Sequence, residues 1–133
     1  MSVQAAIDGL NSVIATVPGL VRVYADPPES ISEFPCAITY IREGEMYDSA
    51  AGGYSLHTLV VEIYQARQIM ALAIDKAKVW PDLVRSVLRA NQTLNGSISH
   101  FVWPLRYQAL PLPYNDQMHF GVRFLAQVKV NET

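Results

Sequence analysis

The N-terminal part of the chain predicts a helix, a short strand and a loop. Apolar side chains recur every three or four positions over residues 3–17, and Ser2 stands before them as a reasonable N-cap. The Pro18-Gly19 pair ends this helix. Residues 20–24 are β-branched and aromatic, which favours a strand. Residues 25–35 are acidic and rich in proline, which predicts a surface loop.

The next segment predicts a long β-hairpin. Cys36–Tyr47 and residues 54–65 read as two strands, joined by a flexible, glycine-containing connection at residues 48–53. In the second strand one face carries Leu59, Val61 and Ile63, and the other carries Leu56, Thr58, Val60 and Tyr64. Both faces are therefore fairly apolar, as expected of a strand that is covered on two sides.

Residues 67–92 have a helical period, which Pro81 interrupts. We expect two helical pieces or one bent helix, with Pro81 in the first turn of the second piece. The predicted apolar stripe consists of Leu72, Ile74, Ala77, Trp80, Leu83, Val84, Val87 and Leu88.

The C-terminal part predicts two strands separated by a loop. Asn95-Gly96 is a strong turn signal, and residues 97–103 follow it as a strand. Residues 104–116 contain three prolines and are predicted to be mostly loop. Residues 117–130 form the clearest strand. Its apolar face carries Phe120, Val122, Phe124, Ala126, Val128 and Val130.

These elements predict a single α+β domain over residues 1–133, with a mainly antiparallel sheet, helices packed on it and the order α-β-β-β-α-β-β. A formal net charge of −2 argues against sequence-independent binding to nucleic acid. One cysteine excludes an intramolecular disulfide. The N-terminus lacks the features of a signal peptide, and no apolar run approaches the length of a membrane span, so we expect a soluble protein without a membrane partner.

The sequence contains no phosphate-binding loop, nucleophile elbow or zinc motif. His57 and His119 could meet across paired strands and bind a metal with Asp48 or Glu62, although solvent-facing histidines are the favoured interpretation. Cys36 could act as a nucleophile with a histidine, although its apolar neighbours favour a buried, inert thiol. We therefore predict no catalytic, cofactor-binding or metal-binding residues, no cofactor and no enzymatic activity.

Five sequence segments, in this order along the chain, resemble those of a known family. They are VPGLVRVY at 17–24, FPCAI at 34–38, LVVEIY at 59–64, LRANQTLNG at 88–96 and MHFGVRFLAQV at 118–128. The chain resembles the tail terminator proteins of long-tailed (siphovirus- or myovirus-like) phages, which are also called tail completion or neck proteins. The resemblance spans nearly all of the chain.

The resemblance implies a structural subunit of the virion that forms a homo-oligomer, a hexameric ring. Such a ring caps the tail tube protein, ends tube polymerisation and offers its other face to a head-completion or connector protein. DNA passes through the ring without sequence-specific binding. The implied location is the tail or neck of the virion, and the host cytoplasm during assembly.

Interface candidates follow from exposure and loop position. The hairpin tip at residues 43–54 comes first and the loop at residues 107–117 second, with two arginines of the second helical region as a further pair. The candidates are Glu43, Glu45, Tyr47, Asp48, Tyr54, Arg85, Arg89, Tyr107, Tyr114 and Asn115. For each of them, an ordinary solvated loop or helix face is the alternative.

Three other functions remain open at the level of sequence. The first is another head–tail connector or neck component of similar size and ring symmetry. The second is a monomeric module that binds a small ligand or a peptide. The third is an enzyme with a dispersed site. Oligomeric state separates the ring proteins from the binding module, and convergence of polar groups in a cleft would favour an enzyme.

Overall fold

The computed structural model describes residues 2–49 and 52–131 and contains one five-stranded sheet with helices packed on it. The elements are α1 (Val3–Ile14), β1 (Arg22–Tyr24), β2 (Cys36–Tyr47), β3 (Tyr54–Tyr64), α2 (Met70–Ala77), α3 (Trp80–Ala90), β4 (His100–Tyr114) and β5 (Gln117–Asn131). The predicted α+β class and element order are confirmed, with the second helical region divided in two. The predicted connection at residues 48–53 includes residues 50 and 51, which lie outside the described residues.

The strand order in the sheet is β1-β2-β3-β5-β4. The pairs β2–β3, β3–β5 and β5–β4 are antiparallel, which confirms a mainly antiparallel sheet. β1 pairs in parallel with the start of β2, because the loop at residues 25–35 returns the chain to the same end of the sheet. β3 and β5 are therefore the central strands, and β4 is an edge strand over its whole length.

The main core lies between the helices and one face of the sheet. Leu10 and Ile14 of α1 and Val84 of α3 pack in one cluster with Val61 and Phe124 of the central strands, all of them buried. Burying such side chains stabilises the fold by roughly 1.5–3 kcal/mol each. Among the described residues, no helix combines the length and apolar character needed to cross a lipid bilayer.

The helix α1 begins as predicted and ends earlier. Its N-cap is Ser2, whose hydroxyl accepts a hydrogen bond from the backbone N–H of Ala5 at 3.0 Å. The helix ends at Ile14 rather than at residue 17, because the next residues form tighter turns in which Thr16 and Val17 donate to carbonyls three residues earlier.

Pro81 divides the second helical region as predicted, since α2 ends at Ala77 and α3 begins at Trp80 with Pro81 in its first turn. The buried stripe consists of Ala73, Ala77, Trp80, Val84 and Leu88. Leu72 and Ile74 are 52 % and 41 % exposed, so their assignment to the apolar core stripe is wrong. They flank Ala73 in the chain, and each residue of a helix turns the side chain by about 100°, which carries both away from the core.

The prediction of a loop at residues 104–116 is wrong, because β4 continues to Tyr114. The chain turns only at Asn115-Asp116, where both residues have positive φ, as a two-residue type I′ hairpin requires. Pro111 and Pro113 stand in register with β5. An edge strand tolerates them because a proline nitrogen can face away from the paired neighbour.

The second face of the sheet carries none of the described helices. One end of it is covered by the loop at residues 25–35 and holds a small buried cluster of Cys36, Ile38, Tyr64 and Leu112. The hydroxyl of Tyr114 holds this loop by donating to the carbonyl oxygen of Pro28. The whole second face is called the helix-free face below. Beyond this cluster, no described helix covers it.

Candidate assembly surfaces

The strand β2 has a free outer edge over most of its length, because β1 pairs only with its first three residues, Cys36–Ile38. Residues 41–49, called the acidic edge below, are all exposed. They carry three carboxylates, on Glu43, Glu45 and Asp48, and one guanidinium. Unpaired backbone groups on an uncovered edge can also bond to another chain.

A β-bulge determines which way the acidic edge presents its side chains. Before it, Thr39 pairs with Val61 on the helix-covered face; after it, Glu43 pairs with Thr58 on the helix-free face. Because side chains alternate along a strand, Glu43, Glu45 and Tyr47 share the helix-free face. The structure thus brings together five predicted interface candidates at one end of the sheet. They are Glu43, Glu45, Tyr47, Asp48 and Tyr54.

Tyr47 and Tyr54 form an aromatic pair beside these carboxylates, with ring centroids 4.8 Å apart. The hydroxyl of Tyr47 donates to Glu45, and this hydrogen bond is the main reason why the pKa of Tyr47 is raised. The ammonium of Lys129 lies 4.5 Å from the centroid of the Tyr54 ring. Side chains with an apolar body and a polar tip, as here, suit protein interfaces.

A second surface lies at the opposite edge of the sheet, where α2 packs beside β5 and β4. This surface, called the α2 groove below, consists of Arg67, Met70, Ile74, Lys78, Tyr107 and Met118. Its four apolar or aromatic side chains are between 41 % and 54 % exposed. Clustered exposure of large apolar side chains marks an interaction surface more often than scattered exposure does.

Sequence reasoning missed most of the α2 groove and placed Ile74 in the core. A usable signal was present, because Ala73, Ala77, Trp80, Val84 and Leu88 form an i, i+4 and i, i+3 series that fills the core side of both helices without Ile74. Large apolar residues outside such a series are expected to lie on the surface, because the series already fills the core side of the helices.

Of the second group of predicted candidates, only Tyr107 belongs to the α2 groove, and it lies within β4 rather than in a loop. Tyr114 also belongs to β4, and its ring packs edge-on against Tyr64, with centroids 5.7 Å apart. Tyr114 is therefore engaged within its own subunit. Asn115 lies in the exposed hairpin turn between β4 and β5.

Arg85 and Arg89 lie on the exposed side of α3, one turn apart. Arg85 forms an ion pair with Asp82 at 2.9 Å in the same helix. Such exposed pairs contribute little to stability, so both guanidinium groups remain able to meet an acidic partner.

The two strand histidines do not approach each other. His57 stands in register with Val128, nine residues along β5 from His119, which corresponds to a separation on the order of 30 Å. Both are 5 % exposed, so the prediction of solvent-facing histidines is also wrong. His57 hydrogen-bonds to the hydroxyl of Ser55 at 2.8 Å, and His119 to the backbone oxygen of Gln65 at 3.2 Å.

The proposed metal ligands are likewise dispersed. Asp48 lies on the acidic edge, and Glu62 forms an ion pair with Arg123 on the helix-free face. Within residues 2–49 and 52–131, no group of three or more potential metal-ligating side chains comes together.

The thiol of Cys36 is fully buried. Burial, with a smaller contribution from the Glu33 carboxylate, raises the pKa of Cys36 to about 12. Because the thiolate is the nucleophilic form, this environment is the opposite of the one that activates a catalytic cysteine. The prediction of a buried thiol is confirmed.

No protein-family model and no curated protein matches the chain. Among solved structures, the chain is similar to a chain of the virion of a native gene transfer agent (GTA) particle. The match has 16 % sequence identity and a TM-score of 0.38, and it covers 96 % of this chain and 95 % of the other.

Proposed function

We propose that this protein is a structural component of a phage virion, a tail terminator that works without catalysis. In this proposal about six copies close into a ring on the end of the tail tube. The ring stops tube polymerisation and provides the surface to which the head-completion or connector protein binds. One structural observation carries the proposal together with the sequence resemblance: two exposed surfaces of different chemistry occupy opposite edges of one sheet.

A ring requires this kind of subunit. In a closed cyclic assembly with more than two copies, every subunit contacts its neighbours through two different patches. The acidic edge lies on β2 and the α2 groove lies beside β4, with β3 and β5 between them. Three strand spacings, about 14 Å, separate β2 from β4, so the two surfaces are directed toward different neighbours.

The charge of the chain fits the proposed passage of DNA. A channel for DNA should not retain the phosphate backbone, and retention rises with the number of basic side chains that neutralise phosphates. The chain has 12 acidic and 10 basic residues, so a ring of copies carries no overall basic excess.

Light scattering on a sizing column, with and without purified tail tubes from the same source, tests the proposal. A species of about six copies, or stable capping of tube ends, supports a tail terminator. A strict monomer that leaves tubes free to elongate contradicts it. Binding to tail-less heads without binding to tubes would instead identify another neck component.

One observation favours the alternative of a monomeric binding module. The side-chain nitrogens Nε2 of Gln65 and Nε1 of Trp80 are buried without a hydrogen-bond partner in the described part of the chain, and both residues line one groove. An acceptor group of a peptide or small ligand could satisfy them. In that case ligand screening would find saturable binding to a chain that stays monomeric.

A further inference from the structure

We infer that the acidic edge of one copy docks against the α2 groove of the next copy, so that the subunits associate head to tail. This inference rests on the proposed ring and names the two surfaces that form its repeated contact.

The two surfaces carry opposite charges. The acidic edge at residues 41–49 carries three carboxylates against the single guanidinium of Arg42. The segment around α2, residues 66–79, carries three bases, Arg67, Lys76 and Lys78, against the single carboxylate of Asp75. Arg42 lies 4.0 Å from Glu43, and Lys78 lies 3.6 Å from Asp75. These internal pairs leave an excess of two negative charges on the acidic edge. They leave two positive charges on the α2 segment, Arg67 in the α2 groove and Lys76 in the neighbouring groove lined by Trp80.

Both surfaces also expose apolar side chains. Ile41 and Met46 of the acidic edge lie on the helix-covered side of the strand, across from Glu43 and Glu45, and are 50 % and 71 % exposed. On the opposite side Ile74, Lys78 and Tyr107 line a depression of about 200 Å³ between α2 and β4. Removing this apolar surface from water favours association. An apolar centre with charges around it is the usual anatomy of a protein interface.

A two-fold contact through either of these surfaces is unfavourable. An isologous dimer brings the same patch of both copies together. It would place the carboxylates of Glu43 and Glu45 against the same carboxylates of the second copy, or Arg67 and Lys78 against the same two bases. Like charges at an interface are unfavourable. A two-fold contact could join opposite charges only if the acidic edge and the α2 groove lay in one patch, but they lie at opposite edges of the sheet.

The prolines of β4 determine the mode of docking. Pro111 and Pro113 lack N–H groups at the outer edge of β4, so a neighbouring strand cannot pair along that part of it. In the inferred contact, side chains of the acidic edge enter the α2 groove, and the sheet does not continue from one copy into the next beside these prolines.

Charge exchange tests the inference. The edge variant combines Glu43→Lys and Glu45→Lys, and the groove variant combines Arg67→Glu and Lys78→Glu. All four side chains are exposed, so both variants should keep the circular dichroism and melting temperature of the wild type. We expect each variant to weaken self-association at least 10-fold, and the chain with all four substitutions to recover it. Asp26→Lys with Glu29→Lys, in the exposed loop before β2, is the matched control that should associate normally.

Sedimentation velocity, alone and in the presence of tail tubes, provides the readout. If the wild type assembles and both double variants assemble equally well, the inference is overturned while the ring stands. If each double variant fails and the fourfold variant also fails, the pairing of these two surfaces is wrong. A wild type that stays monomeric under both conditions overturns the ring and the inference together.

Discussion

Glu62 and Arg123 stand opposite each other on the central strands β3 and β5, and the Nε of Arg123 donates to Oε2 of Glu62 at 2.8 Å. Glu62 is 6 % exposed, and the hydroxyl of Tyr64 donates to its other oxygen at 3.1 Å. This hydrogen bond to Glu62 is the largest cause that raises the pKa of Arg123. A buried charge with two partners thus ties the two central strands together on the helix-free face.

We predict that Glu62→Gln lowers the free energy of unfolding by about 2 kcal/mol, because it removes one partner of a largely buried ion pair. Urea denaturation followed by circular dichroism measures the change. Glu29→Gln in the exposed loop is the control and should stay within about 0.5 kcal/mol of the wild type. An equally small effect of Glu62→Gln would contradict a stabilising role for the pair.

Gly9 of α1 allows close approach of the segment that follows α3. A Cβ at this position would lie 2.6 Å from the carbonyl oxygen of Leu94, and it would also collide with Ser97. We predict that Gly9→Ala destabilises the protein by about 2 kcal/mol despite the better helix propensity of alanine. Thermal unfolding compares it with Ser12→Ala on the exposed side of the same helix. A melting temperature at or above that of the control variant would show that the packing is looser than described.

Pro111 and Pro113 leave the outer edge of β4 without N–H donors at two positions, which hinders pairing with other chains there. We predict that Pro111→Thr with Pro113→Thr leaves the fold intact and accelerates aggregation, because it restores two N–H donors on a long edge strand. Light scattering during incubation at raised temperature measures the rate. The pair Thr16→Ser and Thr93→Ser, at exposed positions outside β4, is the control. Equal rates for the wild type and the proline variant would contradict a protective role.

Burial lowers the pKa values of His57 and His119 in the folded protein. Below about pH 6.5 the unfolded chain therefore binds more protons than the folded one, and the free energy of unfolding falls as the pH is lowered. We predict a loss of stability between pH 7.5 and pH 5, measured by urea denaturation at each pH. His57→Gln should reduce the slope, whereas His100→Gln, at an exposed position, should not. A slope that His57→Gln leaves unchanged would contradict this assignment.

The sequence predicted the fold best where local pattern and tertiary environment agree. The strand Cys36–Tyr47 was predicted with its observed bounds, and those at residues 54–65 and 117–130 were predicted to within one residue at either end. In the strands at residues 54–65 and 117–130 the apolar periodicity coincides with burial against the helices. Residues 104–114 were mistaken for a loop because proline disfavours a strand in general. That preference does not apply to an edge, and edge position depends on the strand order of the whole sheet.

The candidate site could be predicted only in part for a related reason. The hairpin tip was found because polar and aromatic residues beside a glycine-containing connection indicate exposure. The α2 groove was missed because Met70 and Ile74 have core-like chemistry. Their exposure follows from the packing of Ala73 and Ala77 against the sheet, which one helix considered alone does not reveal.

The mass of the assembled species tests head-to-tail ring closure most directly. Native mass spectrometry of the wild type, alone and released from capped tail tubes, should show a closed species of about six times the 14.8 kDa chain mass. We predict that this species persists as the protein concentration rises, because a closed ring leaves no docking surface free. A series that stops at a dimer, or a chain that stays monomeric in both samples, would contradict it.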